Sequence, residues 1–340
     1  MQSLRTRYPN NLDKNEMRQS EYGALDFFRQ DTNNPNGIMD ADTRENIKKS
    51  FGNTVVVPVL DGPTVEIGNQ RSCTIVDKEN TSQLVTLSFA TYSWGFTMYP
   101  AQYYNNDIKY QADFDRKMLA YLMKFAETLD SVCVNVLETN KNTYAGNLAA
   151  YYPFTSSSLQ VADDEKNDYY NQLNTITREM NWVGKPSIVT SYGWFPVVER
   201  MRNQGAGNAV NDAFQLSGYS EFFATPRITV PGGARAVQYA VENGSVAIEN
   251  RNDPDAILGH RIGDHMIWEE VTLPLINMKV ASFYREDCTD ARNLHAGTSG
   301  LTRTKKEGFE FSTDIVTMVA YNRDTVNRHQ PILKSTLSAT

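Results

Sequence analysis

The sequence is poor in the residues that carry out chemistry. Histidine occurs four times in 340 residues and cysteine three times. The cysteines, Cys73, Cys133 and Cys288, are odd in number, far apart and without CxxC spacing. They suit buried or free thiols in a reducing compartment, with neither a disulfide frame nor a zinc site. No apolar run approaches the ~18 residues of a membrane span. The polar stretch from Met1 to Asn15 holds no signal-peptide core, so synthesis in the cytosol is the expectation. The net charge of −7 argues against a protein whose affinity comes from neutralising phosphates.

Motifs are scarce as well. There is no GxxxxGK[ST] phosphate cradle and no GxSxG nucleophile elbow. In Gly205-Ala-Gly207-Asn-Ala-Val210 the third glycine of the dinucleotide fingerprint is missing, and the stretch follows an expected helix rather than a strand. His260 and His265 flank Asp264, but their spacing does not match H-E-x-x-H, where two ligands share one helix face. A solvated turn is the expectation. Asp253-Pro-Asp255 is rich in oxygen donors yet lacks the twelve-position calcium loop with its terminal glutamate, and is expected to be a turn. Arg303, Lys305 and Lys306 form the clearest basic cluster, expected as a solvated loop or an ion-pairing surface rather than a nucleic-acid site. Paired carboxylates for glycoside chemistry leave no local signature. No catalytic, cofactor-binding or metal residue is nominated, and no cofactor is expected.

What remains is material for a sizeable folded body. The apolar share is 40%, or about 46% with the glycines, which is ordinary for a globular chain. The length exceeds the roughly 250–300 residues at which one core stops growing, so two packed units are expected. Eighteen tyrosines accompany 15 phenylalanines and 4 tryptophans. Large amphipathic rings are favoured at protein–protein interfaces, although they also suit sugar binding.

Residues 1–50 are polar, with one short apolar cluster at Tyr22, Leu25, Phe27 and Phe28. Such a segment cannot bury a core of its own. It is expected to contact other chains, with a tail tucked onto its own chain as the alternative. Val55, Val57 and Val59 alternate before a turn at Asp61-Gly62-Pro63. Val65 to Val76 and Leu84 to Met98 follow as the arms of a long hairpin, with Asp77 to Ser82 as its loop. Both faces mix polar and apolar residues, so this hairpin needs a partner surface. Over 111–140, Phe114, Met118, Leu122, Phe125, Leu129, Cys133 and Val136 recur every three or four residues and predict a helix roughly 40 Å long. A second helix is expected from Asp164 to Asn181. Pro186 to Thr190 is a buried-type strand, and a short helix follows with Pro196 in its first turn. Arg227–Val230, Met266–Leu273, Lys279–Phe283 and Ile315–Tyr321 are further expected strands, and Pro231-Gly232-Gly233 and Asn243-Gly244 are turns.

A polar arm, a long β-hairpin, one long helix ending in Glu127-Thr-Leu-Asp130-Ser-Val-Cys-Val-Asn-Val-Leu137, and then an α+β region: this order resembles the Hong Kong 97-type major capsid protein of tailed bacteriophages. Gly244-Ser-Val-Ala-Ile248-Glu-Asn-Arg251 and Trp268-Glu-Glu-Val-Thr-Leu-Pro274 are similar to the return segments of that family. So are Glu310-Phe-Ser-Thr-Asp314, Ala320-Tyr-Asn322 and Pro331-Ile-Leu-Lys334. The resemblance implies an α+β chain divided into an N-terminal arm (1–53), a β-hairpin extension called the E-loop (54–100), a peripheral domain with a spine helix at 111–140 (101–185), a mainly axial domain (186–300), and return strands with a C-terminal tail (301–340). It implies a structural protein, not an enzyme, that assembles with itself into hexamers and pentamers of an icosahedral head. That head would enclose double-stranded DNA without sequence-specific binding and without a membrane. Portal, scaffold and decoration or auxiliary capsid proteins are the implied partners. Assembly would occur in the host bacterial cytoplasm, and the product would reside in the virion. An encapsulin-like bacterial nanocompartment shell, which shares the fold, and an unrelated enzyme or carbohydrate-binding protein are the alternatives.

Overall fold

The computed structural model describes residues 22–35, 37–50, 52–60, 82–103, 109–182, 184–198, 221–273, 276–292, 301–320 and 329–339. The chain is α+β. Its first described element corrects an expectation. Helix α1 (Gly23–Thr32) buries Ala24, Leu25, Phe27 and Phe28 in the chain's own main core. Its first residue lies so close to the backbone of Ala224 that a Cβ on Gly23 would stand 2.3 Å from that carbonyl oxygen, and only glycine fits. The polar composition of 1–50 concealed a ten-residue amphipathic helix. Such a helix does not need a core of its own when other elements supply one. Helix α2 (Ala41–Lys49) follows, capped by Asp40, whose carboxylate accepts the Thr43 amide at 2.7 Å.

Strand β1 (Thr54–Leu60) pairs antiparallel with β2 (Ser82–Ser88) as a separate two-stranded ribbon, with Val57 opposite Val85. Strand β3 (Ala90–Met98) belongs to a different sheet. The stretch expected as one hairpin arm, Leu84 to Met98, is therefore divided at Phe89. There the chain is held by a hydrogen bond that the Phe89 amide donates to the Asn53 carbonyl and by the Arg251 guanidinium, 3.9 Å above the ring centroid. The other expected arm, 65–76, and the loop residues 77–81 lie outside the described residues.

Helix α3 (Tyr110–Thr139) runs 30 residues, within one residue of expectation at each end, and is about 45 Å long. Next come β4 (Phe154–Thr155), β5 (Ser158–Val161) and α4 (Tyr169–Glu179). Helix α4 starts later than expected because 163–168 forms consecutive turns, with the Asp168 amide on the Glu165 carbonyl. Strand β6 (Ser187–Thr190) is where the sequence places it, and β7 (Phe222–Ala224) pairs with it in parallel. The expected strand Arg227–Val230 is irregular instead. Arg227 points onto Tyr22, its guanidinium 5.2 Å from the ring centroid, so it serves α1 rather than a ladder. Then follow β8 (Ala234–Val241), β9 (Val246–Arg251), the short helix α5 (Pro254–Leu258), β10 (Arg261–Ile262) and β11 (Met266–Leu273). The long strands β12 (Met278–Arg292) and β13 (Leu301–Val319), and finally β14 (Ile332–Ser338), complete the chain.

Two six-stranded sheets result. One has the order β10-β11-β12-β13-β3, with β9 also on β13; the other is β4-β5-β14-β8-β6-β7. The second sheet is buried on both faces, and β8 shows how. Val237, Tyr239 and Val241 face the main core with α1 and α3, while Ala236 and Ala240 face a second core around α4 and Trp194. Period-two alternation thus appears as a continuous buried run, as expected of a strand covered on both sides. The main core and the second core thus lie on opposite faces of one shared sheet.

Candidate assembly surface

A helix leaves its first amides without intrahelical partners, and Tyr22 at the start of α1 offers no side-chain cap. Asp130, on α3 and wholly buried, replaces it: one carboxylate oxygen accepts the Leu25 amide at 2.9 Å and the other accepts the Thr225 hydroxyl. Burial pushes the Asp130 carboxyl above its usual range, while Thr225, the Leu25 amide and Arg227 pull it back. Asp26, one turn into α1, is pushed up to about 6 by burial, with Arg29 opposing and the Asp130 charge adding to the rise.

The other end of α1 secures a strand. The Asp31 carboxylate accepts the amides of Gly244 at 2.7 Å and Val246 at 2.9 Å, and the Thr32 hydroxyl accepts that of Ile248 at 2.8 Å. The Asn250 amide goes to the Glu249 side chain at 3.3 Å. Since β9 pairs with β13 along its opposite edge, these side chains close the row that would otherwise stay open to another strand.

The ribbon is built on the opposite plan. Its inner face, Val55, Val57, Val85 and Leu87, rests on Met39, Ile47, Val316 and Met318. Its outer face leaves Val56 52% and Leu84 69% exposed, with Pro58 exposed directly opposite Leu84. Proline has no amide proton, so position 58 cannot donate to a further strand. Among the described residues, the rest of this outer face is Thr54, Thr86 and Ser88, all exposed, so the ribbon presents three apolar side chains among hydroxyls. Its chemical capacity is to bury apolar area against another surface.

The sequence candidates are dispersed. His260 pairs with Asp255 at 2.9 Å, and His265 lies 3.9 Å from Glu286, a different carboxylate on a different element. Asp253 caps α5 by accepting the Asp255 amide at 3.0 Å. Lys305 lies between Glu286 at 3.0 Å and Glu307 at 2.9 Å, and both bonds hold its ammonium above the usual lysine range. Among the described residues no group of three or more His, Cys, Asp or Glu is placed to hold a metal ion. Among them, too, no helix is long and apolar enough to cross a membrane. Asp31, Asp130 and the outer-face pair Val56 and Leu84 were not singled out by sequence as a site. The available signal was the apolar cluster at 22–28 and the valine alternation at 55–59.

No family model matches the chain, and no curated protein does. Solved structures from several bacteriophages are similar to it. It is similar to a structure from Mycobacterium phage Che8 at 12% identity, covering 87% of this chain and 88% of that one, with a TM-score of 0.49. It is similar to the mature capsid of bacteriophage PhiM1 at 10% identity, covering 85% and 83%, with a TM-score of 0.48. The capsid of Ralstonia phage GP4 is similar at 9% identity over 86% of each chain, with a TM-score of 0.48.

Proposed function

We propose that this chain is the major capsid protein of a tailed bacteriophage, of the Hong Kong 97 type, and that it assembles with itself into hexamers and pentamers of an icosahedral head around double-stranded DNA. The carrying observation is the ribbon β1–β2, whose inner face is seated on the body while Val56, Pro58 and Leu84 face outward. A solitary protein gains nothing from such a face; a closed ring of identical subunits buries one copy of it at every contact. The element order agrees: ribbon, long helix, mixed sheets, and a last strand β14 returning into the second sheet. In this reading the ribbon is the described part of the extension expected over 54–100, whose β3 instead joins the body, 110–139 is the spine helix, and the axial domain expected over 186–300 contributes β6, β7 and β8 to the second sheet, while portal, scaffold and decoration proteins are partners within the host cytoplasm and the virion.

Electron microscopy of the overexpressed chain tests the proposal. Large closed particles are expected, with co-expressed phage scaffold if the chain alone stays small. Particles filled with a cargo enzyme would favour the bacterial compartment. Soluble monomers under every one of these conditions would overturn the capsid assignment.

A further inference from the structure

A cleft of about 640 Å³ opens between α1 and α2 on one side and β9 and the start of β12 on the other. In a chain of net charge −7, its lining is strongly basic: Arg29, Arg44, Lys48, Lys49, Arg251 and Lys279. Only Glu249 and Glu270 oppose them there. Five of these cations divide into two kinds. Arg251 is fixed by Asp314 at 2.6 Å and by the Ser50 and Gly52 carbonyls, and Arg44 is fixed by Glu249 at 2.9 Å. Lys48, Lys49 and Lys279 have side chains 51%, 70% and 67% exposed, each in a loose or solvent-facing pair that water and salt screen. Their charge is therefore available to a ligand without unfolding the wall.

The cleft is not purely polar. Ile257 of α5 lines it and is 51% exposed, and the chain continues into Leu258 at 69% and Ile262 at 64%. A phosphate backbone would use the lysines and leave these aliphatic side chains in water. A protein segment carrying both carboxylates and an apolar side chain uses both. The chain itself provides exposed acidic stretches, among them Asp164, Glu165 and Asp168 in the turns before α4.

We infer that this cleft docks an acidic segment of a second copy of the chain, guided by Lys48, Lys49 and Lys279 and anchored apolarly at Ile257. This rests on the self-assembling function proposed above and assigns the cleft a place in it. Opposite charges at a rim act mainly by steering encounter and fixing orientation, so the contact is salt-sensitive.

The test uses the full chain, with sedimentation velocity at low and high salt and thermal melting followed separately. The triple variant Lys48→Gln/Lys49→Gln/Lys279→Gln should melt like the parent yet lose about tenfold in assembled fraction at low salt, a change of about 1.4 kcal/mol. Added salt should weaken assembly of the parent far more than that of the variant. Ile257→Ser should lower assembly at every salt concentration while leaving the anisotropy of a fluorescent duplex DNA mixed with the protein unchanged. Full assembly of both variants overturns the inference and leaves the capsid assignment standing, whereas a parent chain that never assembles, alone or with co-expressed phage scaffold, removes the assignment itself. A triple variant that assembles normally but loses DNA binding would make the cleft a phosphate site, and would equally overturn docking between copies.

Discussion

The seam between α1 and β9 and the ribbon β1–β2 meet the same problem, an exposed strand edge or face, and answer it in opposite ways. At the seam, Asp31 and Thr32 occupy the amides of Gly244, Val246 and Ile248, so these three donors are closed to a further strand. At the ribbon the apolar side chains of Val56 and Leu84 stay open on the outer face. On the proposed function, the closed amides of the seam serve the subunit and the ribbon's outer face serves association, and the two can be perturbed separately.

The largest expected effect lies at the seam. Phe28 is wholly buried, so Phe28→Ala should cost about 3–5 kcal/mol in urea unfolding. Deleting 22–50 should leave no folded body at all, and a soluble truncated chain with a native-like melt would show that α1 is an accessory. Asp130→Ala removes the acceptor for Leu25 and Thr225 and should cost about 2–3 kcal/mol. Asn at the same position keeps one acceptor and should recover part of that.

A smaller effect is set by pH. The Asp26 carboxyl titrates at about 6 when folded, against an ordinary 3.8, so the folded chain holds more protons than the unfolded one between these values. Stability from this group is fully present below about pH 4 and falls as pH rises to about 6. Discounted for partial exposure, the loss is about 1–2 kcal/mol. Asp26→Asn should flatten that slope in a pH series of denaturation midpoints; an unchanged slope would assign it to other carboxyls.

The smallest effect on folding, and the sharpest on assembly, belongs to the ribbon. Val56→Thr with Leu84→Thr keeps strand-compatible residues on an exposed face and should shift monomer stability by less than about 0.5 kcal/mol. Particle yield should nevertheless fall. Equal loss of folding and assembly in this variant would mean that the ribbon belongs to the core and would erase the distinction drawn here.

Legibility in the sequence followed the same division. Helix α3 was readable because its period of three to four persists over 30 residues, and β11 because a run of eight ends in turn signals on one side. Helix α1 was misassigned because ten residues of amphipathic pattern were averaged with polar neighbours. Its dependence on Asp130 spans 105 residues of chain, which no local pattern records. The hairpin was expected between 65–76 and 84–98, but 82–88 pairs with 54–60 and 65–76 lies outside the described residues; Phe89 and Arg251 redirect the chain after 88, and the partner that fixes this turn lies far along the chain. Arg227–Val230 looked like a strand by side-chain type, yet Arg227 is engaged with Tyr22 and with Asp130. The exposed apolar face of the ribbon was visible only as alternation, since alternation does not say which face is covered.

Helix α3 also carries its own clock. Cys133 lies three residues beyond Asp130, wholly buried, and burial pushes its thiol far above the ordinary range, whereas Cys288 is exposed. A thiol in that state does not react until the protein around it opens, because the thiolate is the reactive form. The alkylation rate at Cys133, followed by mass spectrometry of its peptide, therefore counts how often α1 lifts from α3. Measured in free subunits and again in assembled particles, the same atom would report how far enclosure by neighbours slows the breathing of the fold.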